Sequence, residues 1–217
     1  MKGKGWILVI LSLLPLLMVL AVYPELPALV PMHWEINGVS AEYGEKWMLL
    51  PLGGMSVLMT ALLWAVPKID PRKENYRRFE RAYFSICVVL NVFFMAVMAI
   101  VLAESLSPGR ISVPRAAGAL CGLLFLFIGN LMPKIKSNFS TGFKTPWALS
   151  SEEVWNKTQR LGGRLFVLGG LVLLAGCFFV EEKALFAALP GILFVILLLP
   201  TVMSWRWYRQ EQEEKRE

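Results

Sequence analysis

Six stretches of this sequence are apolar enough, and long enough, to cross a lipid bilayer. A spanning helix needs about 18 or more largely apolar residues, and 56% of the chain is hydrophobic. The sequence therefore predicts an all-α, polytopic integral membrane protein, one bundle of six transmembrane helices. The predicted spans are residues 6–23, 48–66, 82–103, 116–132, 165–180 and 184–204.

The loops between these spans divide the chain into two units. Residues 1–80 form a predicted two-helix unit with a proline-rich connecting loop, residues 24–47. Residues 81–217 form a predicted four-helix unit with a long loop at residues 133–164, called the signature loop below. The first span is longer than the apolar core of a usual signal peptide, and a poor cleavage sequence follows it. We therefore expect a retained helix.

The uneven distribution of lysine and arginine predicts the orientation. The N-terminus, residues 68–81, the signature loop and the C-terminal tail together hold 18 of the 22 cations. Loops on the cytoplasmic side carry the excess of Lys and Arg. Both termini and the signature loop are therefore expected in the cytoplasm, and residues 24–47 outside it.

Charge and cysteines exclude other classes of protein. The formal charge of +6 is spread over the loops and termini that flank apolar spans, so we expect the bilayer as a partner and no direct contact with nucleic acid. Cys87, Cys121 and Cys177 all lie within apolar runs. They are typical of small buried hydrophobic residues rather than of disulfides or metal ligands.

The signature loop combines cations with aromatic residues, as segments at a membrane interface do. Pro133 is expected to end the preceding helix. Ser150 followed by Glu153 has the pattern of a capping box, which predicts a short amphipathic helix reaching Arg160 and lying on the inner leaflet. The position of the loop alone would explain its charges, but not the order of its residues.

That order, G-N-x-x-P-K-x-K-x-N, then G-x-K-T-P-W-x-L-S, then V-W-x-K-T-x-R-x-G-G, resembles the signature of the SdpI family of bacterial membrane proteins. Lys144 stands where the family usually has Arg, and Gln159 where it often has His. The resemblance implies a cytoplasmic site. Its candidate residues are Gly129, Asn130, Pro133, Lys134, Asn138, Gly142, Lys144, Thr145, Pro146, Trp147, Trp155, Thr158 and Arg160.

The loop at residues 24–47 holds the single histidine of the chain, His33. Its prolines forbid a continuous helix, and Asn37-Gly38 favours a turn. The order P-x-H-W-x-x-N-G resembles a domain of unknown function that often precedes the SdpI signature. Aromatic faces beside hydrogen-bonding groups suit a peptide or a lipid headgroup. The candidate binding residues are His33, Trp34, Asn37, Gly38, Tyr43 and Lys46.

Reactive groups are few, so we expect no enzyme, no cofactor and no metal site. One histidine cannot supply the two-His ligand sets of zinc enzymes. Glu104 and Glu181 fall at the ends of predicted spans, where they are expected to be interface residues. Asn91 falls near the middle of a span, so its amide should bond to a neighbouring helix. Gly118 and Gly122 favour close helix packing.

The SdpI resemblance implies toxin immunity: protection from a secreted, membrane-active peptide. It also implies signalling by recruitment of a cytoplasmic transcriptional repressor. Two other classes remain open from the residues themselves. One is a small transporter or lipid-handling protein, and the other is a metal-dependent intramembrane enzyme that uses His33.

Overall fold

The structure is a computed structural model that describes residues 5–36 and 38–217. Six of its helices are long and apolar enough to cross a membrane, which confirms the predicted number of spans. The helices are α1 (Gly5–Val22), α2 (Leu49–Ile69), α3 (Glu80–Leu106), α4 (Val113–Leu131), α5 (Pro146–Ser150), α6 (Glu152–Phe179) and α7 (Glu182–Glu214). The short helix α5 is not a span.

Two groups of packed helices make up the bundle. Helix α1 packs against α2 and α3, while α4 packs against α6, and α6 packs against α7. Helix α3 joins the groups through its contacts with α4. The amide of Asn91 on α3 donates to Thr60 Oγ1 on α2 at 2.9 Å. The predicted interhelical bond at this depth is therefore confirmed.

A β-hairpin, which the all-α prediction did not include, folds within the first long loop. Strand β1 (Leu29–Trp34) pairs antiparallel with β2 (Ser40–Glu45). The expected turn is present: Gly38 has a φ of +82°, and its N–H donates to Glu35 O. A short 3-10 helix, Lys46–Met48, then leads into α2.

Helix α2 does not end at Pro67, where the prediction ended it, but continues to Ile69. Proline has no N–H, so its ring leaves the carbonyl of Leu63, four residues earlier, without its helical partner. Tyr83 Oη on α3 donates to this carbonyl at 2.7 Å. A tertiary hydrogen bond thus replaces the missing helical one.

The prediction of a separate amphipathic helix ending near Arg160 is wrong. Residues 152–179 form one continuous helix, α6, and Ser150 belongs to α5. The N-cap is Ser151, whose hydroxyl accepts from Val154 N. The first turns of α6 are covered by protein rather than by a leaflet, since Val154 is 1% exposed and Thr158 is fully buried.

Candidate functional sites at the two ends of the bundle

The connections between the long helices lie at the two ends of the bundle. The hairpin end comprises the β-hairpin with the turns before α4 and α7. The loop end comprises the α2–α3 connection, residues 70–79, and the α4–α6 connection, residues 132–151. The α4–α6 connection holds most of the signature loop.

A cleft at the hairpin end lies between the β-hairpin and the first turns of α4 and α7. Two cavities of about 440 and about 250 Å³ share the segment 33–36 as a wall. The remaining walls are Met32 from β1, Val113, Pro114 and Ala117 from α4, and Lys183 and Phe186 from α7. Residues 1–80 and residues 81–217 therefore both contribute walls to this cleft, which combines apolar side chains with charged ones.

The structure divides the six candidate residues of the hairpin between the cleft and other positions. His33 is exposed and lines the cleft, as does the half-buried Trp34. The Trp34 indole N–H is buried and has no hydrogen-bond partner among the described residues. Tyr43 is 56% exposed on β2 and lines neither cavity. Asn37 lies outside the described residues.

Lys46 anchors the hairpin rather than lining the cleft. Its ammonium donates to the carbonyls of Tyr23 and Leu26, each at 3.3 Å. It also lies 4.8 Å from the centre of the Tyr23 ring. These contacts tie the end of β2 to the turn after α1.

Asp70, which the sequence analysis missed, ties the two connections of the loop end together. Its carboxylate is 3% exposed and accepts from Arg72 N at 2.8 Å, Tyr76 Oη at 3.0 Å, Phe139 N at 3.0 Å and Ser140 Oγ at 2.9 Å. Burial alone would raise the pKa of this carboxyl group. The hydrogen bonds stabilise its charged form and outweigh burial, so its pKa lies below the ordinary 3.8.

Two more residues of the α2–α3 connection hold the α4–α6 connection. The Arg72 guanidinium donates to Leu149 O at 2.8 Å and to the Ser137 hydroxyl. Asn75 Nδ2 donates to Ser137 O at 2.7 Å. The sequence contains one indication of this contact. In Asp70-Pro71-Arg72, an acidic residue followed by a proline interrupts a loop that is otherwise rich in cations.

Asn138 shapes the α4–α6 connection from inside. It is fully buried, and its Oδ1 accepts from Ser140 N at 2.9 Å and Thr141 N at 2.6 Å. Its Nδ2 donates to the carbonyls of Lys136 and Thr141. One amide therefore satisfies four backbone groups that the turn leaves unpaired, which explains why asparagine suits this signature position.

Gln159, one of the two departures from the family pattern, continues this support. It is fully buried on α6; its Oε1 accepts from Phe143 N at 3.1 Å, and its Nε2 donates to Phe143 O at 3.0 Å. A Cβ on Gly142 would lie 2.6 Å from this amide oxygen, and the Gly142 φ of +96° also favours glycine.

Trp155 and Thr158, two candidate residues of the signature loop, are buried in the core. Trp155 is 1% exposed, and its indole N–H donates to Ile135 O at 2.8 Å. The physical reason is that the α4–α6 connection folds over the first turns of α6. Thr145 has a similar structural role, because its hydroxyl caps α5 through Ala148 N and bonds to Ser204 on α7.

The exposed candidates are the ones a partner could touch. Lys134, Lys144 and Arg160 are exposed, as are Asn130, Pro133 and Pro146, while Trp147 is half-buried. None of the three cations forms an ion pair with a described carboxylate. Lys144 donates instead to Ser140 O at 3.2 Å. Lysine in place of arginine therefore loses no bidentate contact to a described carboxylate.

Within residues 5–36 and 38–217, no group of three or more His, Cys, Asp and Glu side chains is placed to hold a metal ion. Glu104, expected at an interface, is 3% exposed. One of its carboxylate oxygens accepts from Gly109 N. The three cysteines are free, with Cys87 and Cys177 buried.

Comparisons with known proteins match both units. Residues 134–204 match the model of the SdpI/YfhL protein family, and residues 10–59 match a domain of unknown function, DUF1648. The chain is 22% identical over 207 residues to a protein named Immunity protein SdpI from Bacillus subtilis (strain 168), which covers 95% of this chain and 97% of that protein. No solved structure matches the chain.

Proposed function

Because this chain is a multi-pass bacterial membrane protein of the SdpI type, we propose that it protects its cell from a secreted peptide toxin. The observation that carries this proposal is that the similarity to an immunity protein spans both units of the chain. The hairpin end faces outward in this proposal, and the loop end faces the cytoplasm. The 18-to-4 distribution of cations supports that orientation.

The toxin binds in the cleft at the hairpin end. Its walls combine Phe186, Pro114 and Val113 with the polar groups of His33, Glu35 and Lys183. Ligand sites generally pair apolar walls with a few polar groups in this way. Because β1, α4 and α7 all contribute walls to the cleft, a bound toxin contacts both units. It thereby favours one arrangement of the two units over another.

The loop end reports that arrangement by recruiting a cytoplasmic transcriptional repressor. The hydrogen bonds from Arg72 and Asn75 to the α4–α6 connection join the same two units that meet at the cleft. A ligand shifts such an equilibrium only by its difference in affinity for the two states. The exposed cations Lys134, Lys144 and Arg160 provide a surface for an acidic partner.

The first check is whether genes for a secreted peptide and a repressor lie beside the gene for this chain. The protein is then expressed in a sensitive host and challenged with that peptide. Phe186→Ala removes a wall of the cleft and should weaken peptide binding at least about tenfold, as loss of a buried aromatic contact does. Phe178→Ala is the matched control, because Phe178 is 80% exposed on α6.

Substitutions at the loop end should act differently. Lys144→Ala and Arg160→Ala leave peptide binding unchanged, because about 30 Å of hydrocarbon separates the two ends, but should abolish recruitment of the repressor. Binding and recruitment are measured together at equal protein level. If the loop-end variants lose binding as fully as Phe186→Ala, the division between the two ends is wrong. If wild type gives no protection, the immunity proposal itself fails.

A further inference from the structure

An apolar cavity of about 250 Å³ lies at the loop end, on the seam between α4 and α6. Ile128 of α4 and Phe166 of α6 line the seam, and Phe143 of the α4–α6 connection also lines the cavity. Ile86 of α3 and Leu197 of α7 form two further walls. The cavity therefore lies between the two helices that flank the α4–α6 pair.

This cavity is suited to hydrocarbon rather than to water. Thr141 contributes the one side-chain hydroxyl among its described lining residues, so the side chains of its walls offer water few hydrogen bonds. When the cavity is empty, its wall atoms lack the dispersion contacts that an occupant would supply. Leu197 lines the cavity and is also 55% exposed, so the cavity reaches the outer surface of a membrane-spanning helix, where acyl chains lie.

The size of the cavity fits one chain. A water molecule occupies about 30 Å³ in the liquid, and a methylene group is of similar size. The volume of about 250 Å³ thus accommodates roughly eight methylene groups. A segment of one acyl chain therefore fills it.

Two lysines are neighbours in sequence of residues that line this cavity. Lys134 lies between the wall residues Met132 and Ile135, and Lys144 follows the wall residue Phe143. Both lysines are exposed, and neither pairs with a carboxylate of the described residues. Exposed cations that neighbour the walls of an apolar cavity in the sequence are complementary to an amphiphile with a negative headgroup.

We propose that this cavity binds one acyl chain of an anionic phospholipid from the leaflet at the loop end, with the phosphate group held by Lys134 and Lys144. This lipid site is independent of the toxin cleft. A bound lipid fills the space between α3, α7 and the α4–α6 connection. It thereby supports the surface on which the exposed cations lie.

The test uses the purified full chain and native mass spectrometry in detergent, with phosphatidylglycerol or phosphatidylcholine of identical acyl chains added. Wild type should retain one phosphatidylglycerol and prefer it to phosphatidylcholine. Leu197→Phe fills the cavity and should lose this adduct. Leu168→Phe is the matched control, because Leu168 is 58% exposed on α6 and lines no part of the cavity; it should keep the adduct.

A second pair of variants examines the headgroup. Lys134→Gln combined with Lys144→Gln should remove the preference for phosphatidylglycerol, whereas Lys183→Gln, at the hairpin end, should not. Ile128→Phe fills the cavity from another wall and replaces Leu197→Phe if that variant does not fold. Equal retention of lipid by the filling and control variants would overturn the site. Equal binding of both lipids by wild type would overturn the role of the lysines.

Discussion

At the scale of single residues, the Asp70 carboxylate is the main hydrogen-bond acceptor that joins the two connections of the loop end. Four donors from two separate connections converge on it, and one of them is the Tyr76 hydroxyl. Removing a buried acceptor leaves its donors without partners, which costs more than the hydrogen bonds alone. Asp70 therefore fixes the signature residues in place without being a signature residue itself.

Asp70→Asn should destabilise the protein by about 2 kcal/mol, since one amide oxygen cannot replace a carboxylate that accepts four bonds. The wild-type pKa is lower in the folded chain than the ordinary 3.8. The stabilisation is therefore complete above about pH 4 and is lost as the pH falls through the folded-state pKa. Thermal unfolding in detergent from about pH 6 to about pH 3 measures both effects.

The control for this prediction is Glu74→Gln, which changes an exposed carboxylate in the same connection. It should leave the unfolding temperature and its dependence on pH close to wild type. A fall in stability at acid pH that is as steep in Asp70→Asn as in wild type would show that another carboxylate is responsible.

At the scale of elements, the sequence allowed the spans and the interhelical bond of Asn91 to be predicted, but not the other contacts between helices. Apolar runs and cation counts depend on local composition, so the six spans were predictable. The hydrogen bond from Tyr83 to Leu63, which lets α2 continue past Pro67, joins two helices and has no local signal. The same is true of the packing of the α4–α6 connection over Trp155, which places this side chain in the core.

The contact between α4 and α6 depends on four glycines, of which the sequence analysis had linked Gly122 to close helix packing. A Cβ on Gly122 would lie 3.0 Å from Gly170 O, and one on Gly170 would lie 2.6 Å from Gly122 O. Two helical turns away, Gly129 and Gly163 approach each other in the same reciprocal way, each at 2.6 Å. Small residues thus let the two backbones touch along the seam.

Gly129→Ala should destabilise the protein by about 1–3 kcal/mol, because the added methyl group forces the α4 and α6 backbones apart. The measurement is the thermal unfolding midpoint in detergent. Gly54→Ala on α2 is the matched control, since no atom lies within 4 Å of its added Cβ. That change should be neutral or slightly stabilising. Equal midpoints for both variants would contradict the close approach.

At the scale of the whole molecule, each end of the bundle brings residues 1–80 into contact with residues 81–217. The cleft has walls from β1, α4 and α7, and at the other end Arg72 and Asn75 hold the α4–α6 connection. The sequence analysis placed candidate residues at both ends. It missed Val113, Pro114 and Phe186, because residues that meet across a cleft are far apart in the chain. Functional roles for the two ends depend on which one faces outward.

The orientation can be tested with one cysteine at each end, in a chain whose Cys87, Cys121 and Cys177 are replaced by alanine. Ala41 is exposed on β2, and Ser150 is exposed at the end of α5, where its hydroxyl bonds within its own helix. Because 18 of the 22 cations lie in the termini, in residues 68–81 or in the signature loop, Ala41→Cys should react with a membrane-impermeant maleimide on intact cells, and Ser150→Cys should not. Both should react after the cells are permeabilised, which shows that both thiols are accessible. Labelling of Ser150→Cys alone on intact cells would place the loop end outside and reverse the toxin and repressor faces.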